Sequence, residues 1–529
     1  MLRPTTARLA TLALLLVSPA FAQPPDNLLT VAEKTGFKAT ARHAEVVALC
    51  QALARSSPLI RLTEMGQSVE GRSLPLMIVS DPPVATPAEA RASRKLVVFL
   101  FGNIHAGEVD GKEALPMLVR DLVAQSGQPL FRDLILLVAP IYNADGNERV
   151  ARDNRPGQIG PEEGMGIREN ARGLDLNRDY MKLDAPETRA LIRLLNDWDP
   201  ALTIDTHTTN GSHHRYTLTY DGSKNPAGDR SLIAFSRDKL FPEVGASVEK
   251  ATGYKSYFYG NFEADHTRWT SFPAVPRFGT TYIGLRNRLS ILTEAYSYAP
   301  FKDRVLVTRD FCRTSLQYVA DHRDEVKKLL DDARTRSRVA LGDPVAIRSK
   351  ARAMPGKTTV LGFVEKRENG RNIATTEPKD YPCDIEIDFV PTAEVSRPFA
   401  YLVPARYSKA IEVIRAHGIE AGALDTDYFL PVEIEEIARF TRSRRVYEGH
   451  TTVDIGETAV RTARRVIPAG SVIVRTSQPL GSLAVYLLEA RSDDGLATWN
   501  FFDDAIAPGG EFPVLRIKAP VPIASSPLE

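Results

Sequence analysis

The chain has 529 residues, of which 43% are hydrophobic and 25% charged, and its formal net charge at pH 7 is +1. This length predicts two domains or one large domain with additions, because single hydrophobic cores stop growing at about 250–300 residues. The small net charge argues against a nucleic-acid partner or an anionic membrane surface, since both need a concentrated basic face. The composition is that of an ordinary globular protein.

The first 22 residues have the pattern of a secretory signal peptide. Arg3 and Arg8 precede an apolar run at 9–17. The sequence Ala-Phe-Ala, typical of a cleavage site, follows at 20–22. The run is too short for a membrane-spanning helix, and no later segment is long and apolar enough for one. We predict removal of residues 1–22 and an exported protein, periplasmic or extracellular, with no transmembrane segment.

Three cysteines occur far apart in the chain, at Cys50, Cys312 and Cys383. They form no C-x-x-C pair, so a cysteine metal site is not expected. One disulfide is possible in an oxidising compartment. The simpler alternative is three buried thiols that pack as small hydrophobic side chains.

Apolar runs of β type alternate with helical stretches along the first part of the chain. Strands are predicted at 74–79, 96–101, 134–140, 201–205 and 289–293. Helices are predicted near 27–75, at 112–124 and 186–198, and over the charged stretch 313–339. This alternation is typical of βαβ units, so we predict an α/β fold with a mixed, mostly parallel sheet flanked by helices.

The sequence pattern changes beyond residue 342. Short β-type runs, such as 358–364 and 459–474, are separated by Pro and Gly, and one helical piece is predicted at 408–417. We therefore predict a first domain over residues 23–340 and a β-rich accessory domain over 345–529.

Two histidines lie where predicted strands end, the position at which α/β sheets usually build their sites. His105 lies in Asn103-Ile-His-Ala-Gly-Glu108, and His207 follows the apolar run at 201–205. Together with Glu108 they supply two imidazole nitrogens and one carboxylate. That is a three-ligand zinc set with an open fourth position, the arrangement of catalytic rather than structural zinc.

Further polar residues bear on this metal site. His213 and His214 are competing ligands, but they lie in a Gly- and Ser-containing loop rather than at a strand end. Glu294 ends the run Ser290-Ile-Leu-Thr-Glu, a third strand end. A hydrolytic zinc site needs such a non-ligand carboxylate to move a proton from water.

The order of these motifs resembles the zinc carboxypeptidase family, which includes carboxypeptidases A and B. The motifs are the HxxE after a strand, Asn143-Ala-Asp-Gly146, Gly173-Leu-Asp-Leu-Asn-Arg178, the strand-end His and the strand-end Glu. The resemblance covers about residues 27–335. It implies that the first domain is catalytic and that the protein is a secreted, zinc-dependent metallocarboxypeptidase.

The resemblance assigns a metal site to this chain. His105, Glu108 and His207 would bind one zinc ion per chain. Asp175 would accept a hydrogen bond from a zinc-binding histidine, which would orient that ring. Glu294 would act as the general base and then as the general acid.

The resemblance also assigns substrate contacts. Asn177 and Arg178 would hold the free C-terminal carboxylate of a peptide, since a guanidinium matches a carboxylate with two hydrogen bonds. Arg168 would polarise the scissile carbonyl and stabilise the oxyanion. Only the last peptide bond would then be correctly placed for hydrolysis.

Two positions depart from the family pattern or leave a choice open. Gly107 stands where the animal enzymes carry an arginine, so one substrate contact is missing. For the family's substrate-capping tyrosine we choose Tyr282, with Tyr257 and Tyr259 as competitors. The preferred C-terminal residue of the substrate is not predictable from these motifs.

Two alternative functions fit the same sequence. The site could belong to a zinc amidase that acts on cell-wall peptides or N-acyl amino acids, because fold alone does not define the substrate. The protein could also be a non-catalytic binding protein on the same fold, with the accessory domain docking a partner. The complete set of zinc and proton-transfer residues argues against this last alternative.

Overall fold

A computed structural model of the protein describes residues 24–124, 127–368 and 371–528. The predicted signal peptide, residues 1–22, lies outside the described residues. No helix in the described ranges combines the length and the apolar character that crossing a membrane requires. Cys50, Cys312 and Cys383 are all buried free thiols.

The first part of the chain alternates strands and helices, as the apolar pattern predicts. Its strands are β1 Ile60–Gln67, β2 Ser73–Val79, β3 Leu96–Gly102, β4 Leu134–Ala139, β5 Leu202–Thr209, β6 Leu218–Asp221, β7 Ser256–Phe258, β8 Asn261–Phe262, β9 Arg268–Thr270 and β10 Leu289–Tyr296. Its helices are α1 Val31–Lys34, α2 His43–Ser56, α3 Pro87–Ser93, α4 Asp110–Val123, α5 Ala144–Glu148, α6 Pro186–Trp198, α7 Arg230–Phe235, α8 Phe241–Thr252, α9 Gly279–Leu285, α10 Phe301–Asp321 and α11 Arg323–Val339.

Eight of these strands form one mixed sheet in the order β1-β2-β4-β3-β5-β10-β6-β7. The four central strands, β4, β3, β5 and β10, are parallel to one another. Strand β2 is antiparallel to β4, and β6 is antiparallel to β10. Every residue of β3 and of β4 is buried, which explains their unbroken apolar sequences. The predicted α/β fold with a mostly parallel central sheet is confirmed.

The second part of the chain is rich in strands, as predicted. Its strands are β11 Pro344–Arg352, β12 Lys357–Glu368, β13 Arg371–Glu386, β14 Asp388–Ser396, β15 Ala400–Val403, β16 Gly422–Leu424, β17 Tyr428–Arg442, β18 Val453–Ile467, β19 Val472–Arg475, β20 Leu515–Ile517 and β21 Ser525–Pro527. Its helices are α12 Ser408–Ala416 and α13 Gly481–Leu488. Seven strands form a sheet in the order β18-β17-β20-β15-β19-β16-β21.

The two parts share secondary structure. Strand β13 pairs in parallel with β9, so β12, β13, β9 and β8 make a four-stranded sheet drawn from both sides of residue 342. Helix α13, which the sequence pattern did not predict, is buried along its whole length. The proposed boundary near 340–345 thus falls at the start of β11, but the strands on its two sides are hydrogen-bonded to each other.

Several predicted elements differ in the structure. The helical pattern predicted near 27–75 holds for α1 and α2, but strand β1 occupies Ile60–Gln67. Strands β5 and β10 continue to Thr209 and Tyr296, so His207 and Glu294 lie on strands rather than after them. The predicted helix 313–339 is two helices, α10 and α11, separated at His322. The predicted strand 459–474 is interrupted by a turn between β18 and β19, because Pro468 cannot donate a ladder hydrogen bond and Gly470 has a φ of +81°.

Candidate metal centre and substrate pocket

Three neighbouring parallel strands bring the predicted metal and proton-transfer residues to one edge of the sheet. His207 on β5 and Glu294 on β10 are register partners. On the other side of β5, strand β3 ends at Gly102, and the loop that follows carries His105 and Glu108. The carboxyl ends of parallel strands are the usual position for such a site.

The loop after β3 is held in an uncommon backbone conformation. Asn103 has a φ of +66°, and its side-chain amide donates to the backbone oxygen of Ala106 over 3.1 Å. At the start of α4, a Cβ on Gly111 would lie only 1.8 Å from Oγ1 of Thr206. Only glycine allows α4 to approach β5 this closely, so the loop is fixed directly beside His207.

His105, Glu108 and His207 form a compact, buried set of metal-binding atoms. Each offers one ligand atom, and these atoms lie within 4.8 Å of one another. The Glu108 carboxylate lies between the two rings, with Oε1 3.0 Å from Nδ1 of His105 and Oε2 2.9 Å from Nδ1 of His207. Among the described residues, the two histidines and the glutamate therefore converge on one point, as their sequence positions predict.

An aspartate lies against the far nitrogen of each histidine. Asp175 Oδ1 lies 3.0 Å from Nε2 of His105. Asp205 Oδ2 lies 2.9 Å from Nε2 of His207. Asp175 matches its predicted supporting position, whereas Asp205 was not predicted. The Asp175 carboxylate orients the His105 ring so that its Nδ1 faces Glu108, and the Asp205 carboxylate lies close to the His207 ring.

The two glutamates of the site have opposite protonation behaviour. Burial favours neutral Glu108, but the positive charges of His105 and Arg155 hold the pKa of its carboxyl well below the usual range. Burial, with the nearby Glu108 carboxylate, raises the pKa of the Glu294 carboxyl to about 8. Oε2 of Glu294 is buried and has no hydrogen-bond partner among the described residues. Such a separation is typical of a ligand carboxylate beside a proton-transfer carboxyl.

This donor set fits zinc. Two imidazole nitrogens and one carboxylate, with an aspartate behind each ring, are the ligand types and supporting contacts of catalytic zinc sites. The partnerless Oε2 of Glu294 offers one further polar atom beside this set. His213 and His214 are not part of it. The His213 ring stacks on Tyr298 and the His214 ring packs against Tyr296.

The predicted substrate contacts lie beside the metal ligands. Arg168 donates through Nε to Oδ2 of Asp175 over 2.8 Å, and its Nη1 lies 3.4 Å from Nδ1 of His105. The side-chain oxygen of Asn177 accepts from the backbone N–H of Gly279 over 2.9 Å. The central carbon of the Arg178 guanidinium, Cζ, lies 4.2 Å from the centre of the Phe278 ring.

A cavity of about 340 Å³ joins these groups. Its walls include the predicted metal ligands and Glu294. They also include three predicted substrate contacts, Arg168, Asn177 and Arg178. The remaining lining residues are Arg155, Thr208, Thr209, Asn210, Tyr259, Phe272, Pro273, Phe278, Thr280 and Leu292. One cavity therefore contains both the metal site and the candidate carboxylate clamp.

Tyr282 does not line this cavity, which corrects our choice of the substrate-capping tyrosine. It lies on α9, is fully buried, and its hydroxyl is hydrogen-bonded to Nδ1 of His417 over 2.8 Å. Tyr259 lines the cavity instead. Tyr257 stacks on Tyr216 in a separate aromatic cluster. Because several tyrosines precede Glu294, sequence spacing alone could not separate them.

The comparisons with known proteins agree with this geometry. The profile of the zinc carboxypeptidase family matches residues 46–272. The chain is 25% identical over 526 residues to carboxypeptidase 2 of Trichophyton rubrum, a match that covers 95% of this chain and 90% of that protein. The chain therefore contains a domain of the zinc carboxypeptidase family. It is thus a hydrolase of the metallocarboxypeptidase class.

Two further proteins carry shorter or more distant similarity. Carboxypeptidase D of Mus musculus is 35% identical over 175 residues, covering 28% of this chain and 12% of that protein. The crystal structure of carboxypeptidase A from Helicoverpa armigera is 17% identical with a TM-score of 0.41, covering 54% of this chain and 74% of that chain. Glu294 and the strands from β11 onward lie outside the residues that the family profile matches.

Two further site residues, besides Asp205, were not predicted from the sequence. Arg155 donates through Nη1 to Oε1 of Glu108 over 3.0 Å and through Nη2 to the backbone oxygen of Thr208 over 2.9 Å. From the second part of the chain, Oε2 of Glu448 accepts the backbone N–H of Asp175 over 2.8 Å. Neither residue lies in a family motif, and no local pattern in the sequence singles them out.

Proposed function

We propose that this zinc carboxypeptidase hydrolyses the C-terminal peptide bond of peptides with a free terminal carboxylate, using one zinc ion per chain. One observation carries the proposal: a single cavity contains His105, Glu108 and His207, the buried carboxyl of Glu294, and the side chains of Asn177 and Arg178. These are the groups needed to bind a metal, move a proton and hold a carboxylate.

Asn177 and Arg178 would orient the substrate. Arg178 is fixed over the Phe278 ring, and its Nη1 donates to the backbone oxygen of Asn177 over 2.8 Å. The remaining guanidinium donors can take a carboxylate in a paired, charge-assisted geometry. Because a peptide has one terminal carboxylate, this clamp would select the last peptide bond.

Arg168 and Glu294 would act on the bond that is cleaved. Zinc held by His105, Glu108 and His207 would polarise the scissile carbonyl and lower the pKa of a bound water. Arg168 lies close to His105, and its fixed positive charge would stabilise the carbonyl oxygen as it becomes negative. Glu294 would accept the proton from water and return it to the leaving amine.

The cellular location follows from the same proposal. The N-terminal pattern Arg3, Arg8 and the apolar run 9–17 supports export, so the enzyme would act in the periplasm or outside the cell. Peptides are then the substrate class, and neither a nucleic acid nor a membrane anchor is required.

Zinc removal and one conservative substitution test the proposal. A chelator is expected to abolish hydrolysis of blocked dipeptides, and zinc is expected to restore it. Glu294→Gln is expected to lower kcat by about 10²- to 10⁴-fold, the usual contribution of a general acid–base group. Zinc content should be unchanged, as measured by metal analysis. Glu263→Gln, at an exposed glutamate, is the matched control and should retain full activity.

The substrate's terminal carboxylate separates the proposal from its alternatives. Dipeptides with a C-terminal amide should be poor substrates, since they cannot form the charge-assisted pair with Arg178. Equal hydrolysis of the amides, or a preference for cell-wall fragments, would favour the amidase. Full activity of Glu294→Gln with zinc bound would disprove the assigned proton transfer, and freshly purified protein without zinc would favour the binding protein.

A further inference from the structure

The cavity has an apolar end beside the carboxylate clamp. Phe278 lies under the Arg178 guanidinium, and Phe272, Pro273 and Leu292 line the same cavity. Leu292 is two residues before Glu294 on β10, so the two side chains lie on the same face of the sheet. The C-terminal residue of a substrate carries its carboxylate and its side chain on the same Cα. If the carboxylate is held at Arg178, the side chain would therefore lie among these apolar groups.

No free charge is available at this end of the cavity. Among the described lining residues, the acidic ones are Glu108 and Glu294, and both belong to the metal side. Outside the lining residues, Asp221 on β6 is the register partner of Leu292. The Asp221 carboxylate already accepts hydrogen bonds from neighbouring side chains of the protein.

The partners of Asp221 are two buried side chains. Lys224 donates from Nζ to Oδ2 over 2.5 Å, and Ser271 donates from Oγ to the same oxygen over 2.6 Å. The Lys224 ammonium also lies 3.4 Å from the centre of the Phe272 ring. Asp221 and Lys224 thus neutralise each other behind Phe272. Neither a basic nor an acidic substrate side chain would find an unpaired partner there.

We propose that this cavity selects an aliphatic or aromatic C-terminal residue, with Phe272 and Leu292 as the specificity-determining residues. The proposal rests on the proposed carboxypeptidase function. A Lys, Arg or Glu side chain would lose its hydration against apolar walls without gaining a hydrogen bond or an ion pair, and such a loss is costly. A Phe or Leu side chain instead gains by removing apolar surface from water.

A panel of blocked dipeptides tests the preference. The peptides share the same penultimate residue and end in Phe, Leu, Ala, Lys or Glu, and kcat/KM is measured with the full, zinc-loaded chain. The expected kcat/KM for Phe or Leu exceeds that for Lys and for Glu by about 100-fold or more. Equal or higher values for Lys or Glu would overturn the specificity proposal.

Single substitutions in the wall test the two named residues. Phe272 is only partly buried, so Phe272→Ala should not disturb folding. We expect it to lower kcat/KM for the Phe peptide by about 10-fold or more, and to change the Ala peptide by less than about threefold. Leu292→Ala is the second variant, with the same expected direction. Phe429→Ala, at an exposed phenylalanine outside the cavity, is the matched control and should change neither value.

The outcomes distinguish this proposal from the function on which it rests. If the zinc-loaded protein hydrolyses none of the five peptides, the proposed function fails. If it hydrolyses them but Phe272→Ala and Leu292→Ala both leave the Phe-to-Ala ratio unchanged, only the assignment of the pocket fails. A loss confined to the large apolar residues supports both.

Discussion

Arg155 connects the proposed metal ligand Glu108 to the end of β5 from the loop between α5 and α6. Its side chain is 15% exposed and bonds both Glu108 Oε1 and the backbone oxygen of Thr208. The packing leaves no space at Gly107, where a Cβ would lie 2.5 Å from Cδ of Arg155 and 2.8 Å from the backbone oxygen of Gly166. The absence of a side chain at position 107 thus makes room for this guanidinium.

Arg155→Met is therefore expected to weaken zinc binding by roughly 10- to 100-fold, the usual effect of removing a group that orients a metal ligand. The reason is that Glu108 loses the donor that fixes Oε1. The zinc dissociation constant of the metal-free protein, measured by competition with a chromophoric chelator, checks this without an activity assay. Arg152→Met, at an exposed arginine of the same loop, should leave the constant unchanged. Wild-type affinity in Arg155→Met would contradict the role.

At the scale of elements, a buried arginine joins α10, α4 and the loop that carries Arg155. Arg304 on α10 pairs with Asp110 at the start of α4, with Nε 3.0 Å from Oδ2, and both side chains are fully buried. Its Nη1 donates to the backbone oxygen of Ile159 over 2.7 Å, and its Nη2 donates to that of Gly160 over 3.2 Å. The loop is therefore attached to the helices by one side chain.

Arg304→Met is expected to destabilise the fold by about 3–5 kcal/mol, because it leaves the Asp110 charge buried without its partner. The shift of the urea unfolding midpoint measures this loss. In the double variant Arg304→Met/Asp110→Asn the loss should be smaller than the sum of the single losses, since no unpaired charge remains. Lys302→Met, exposed on the same helix, is the control and should have little effect. Additive losses would show that the pair does not act as a unit.

The elements that could be predicted from the sequence are those whose structure depends on neighbouring residues in the chain. Strands β3 and β4 have continuous apolar runs because both faces are buried, and α6 begins and ends at the predicted residues 186 and 198. His105, His207 and Glu294 could be predicted because each closely follows an apolar run in the sequence. The contacts of Arg155 and Asp205, and the internal position of Tyr282, depend on packing between distant segments, which a motif does not encode.

At the scale of the whole molecule, the strands after residue 342 complete structures that begin before it. Ile385 of β13 is the register partner of Trp269 on β9, and Trp269 is fully buried. One hydrophobic cluster contains residues of both parts, including Leu289 from β10 and Leu483 from α13. Glu448 additionally holds the backbone of Asp175 beside the metal site. We therefore propose that the region from 345 onward supports the catalytic part of the chain.

A chain that ends at Gly342 is consequently expected not to form a folded, active monomer. Removing the rest would expose the edge of β9, uncover the apolar surface that packs on α13, and leave the Asp175 backbone without Glu448. Exposed strand edges and apolar faces lead to aggregation.

Size-exclusion chromatography and far-ultraviolet circular dichroism measure the outcome. A chain ending at Lys518 is the control, because it loses the short edge strand β21, which pairs with β16 alone, and a single buried hydrophobic residue, Ile523. If the chain ending at Gly342 were monomeric and cleaved dipeptides at the full rate, the second part would be an independent domain with no supporting role. If instead the shorter chain aggregates while the control remains folded and active, the catalytic site depends on strands that the family profile does not include.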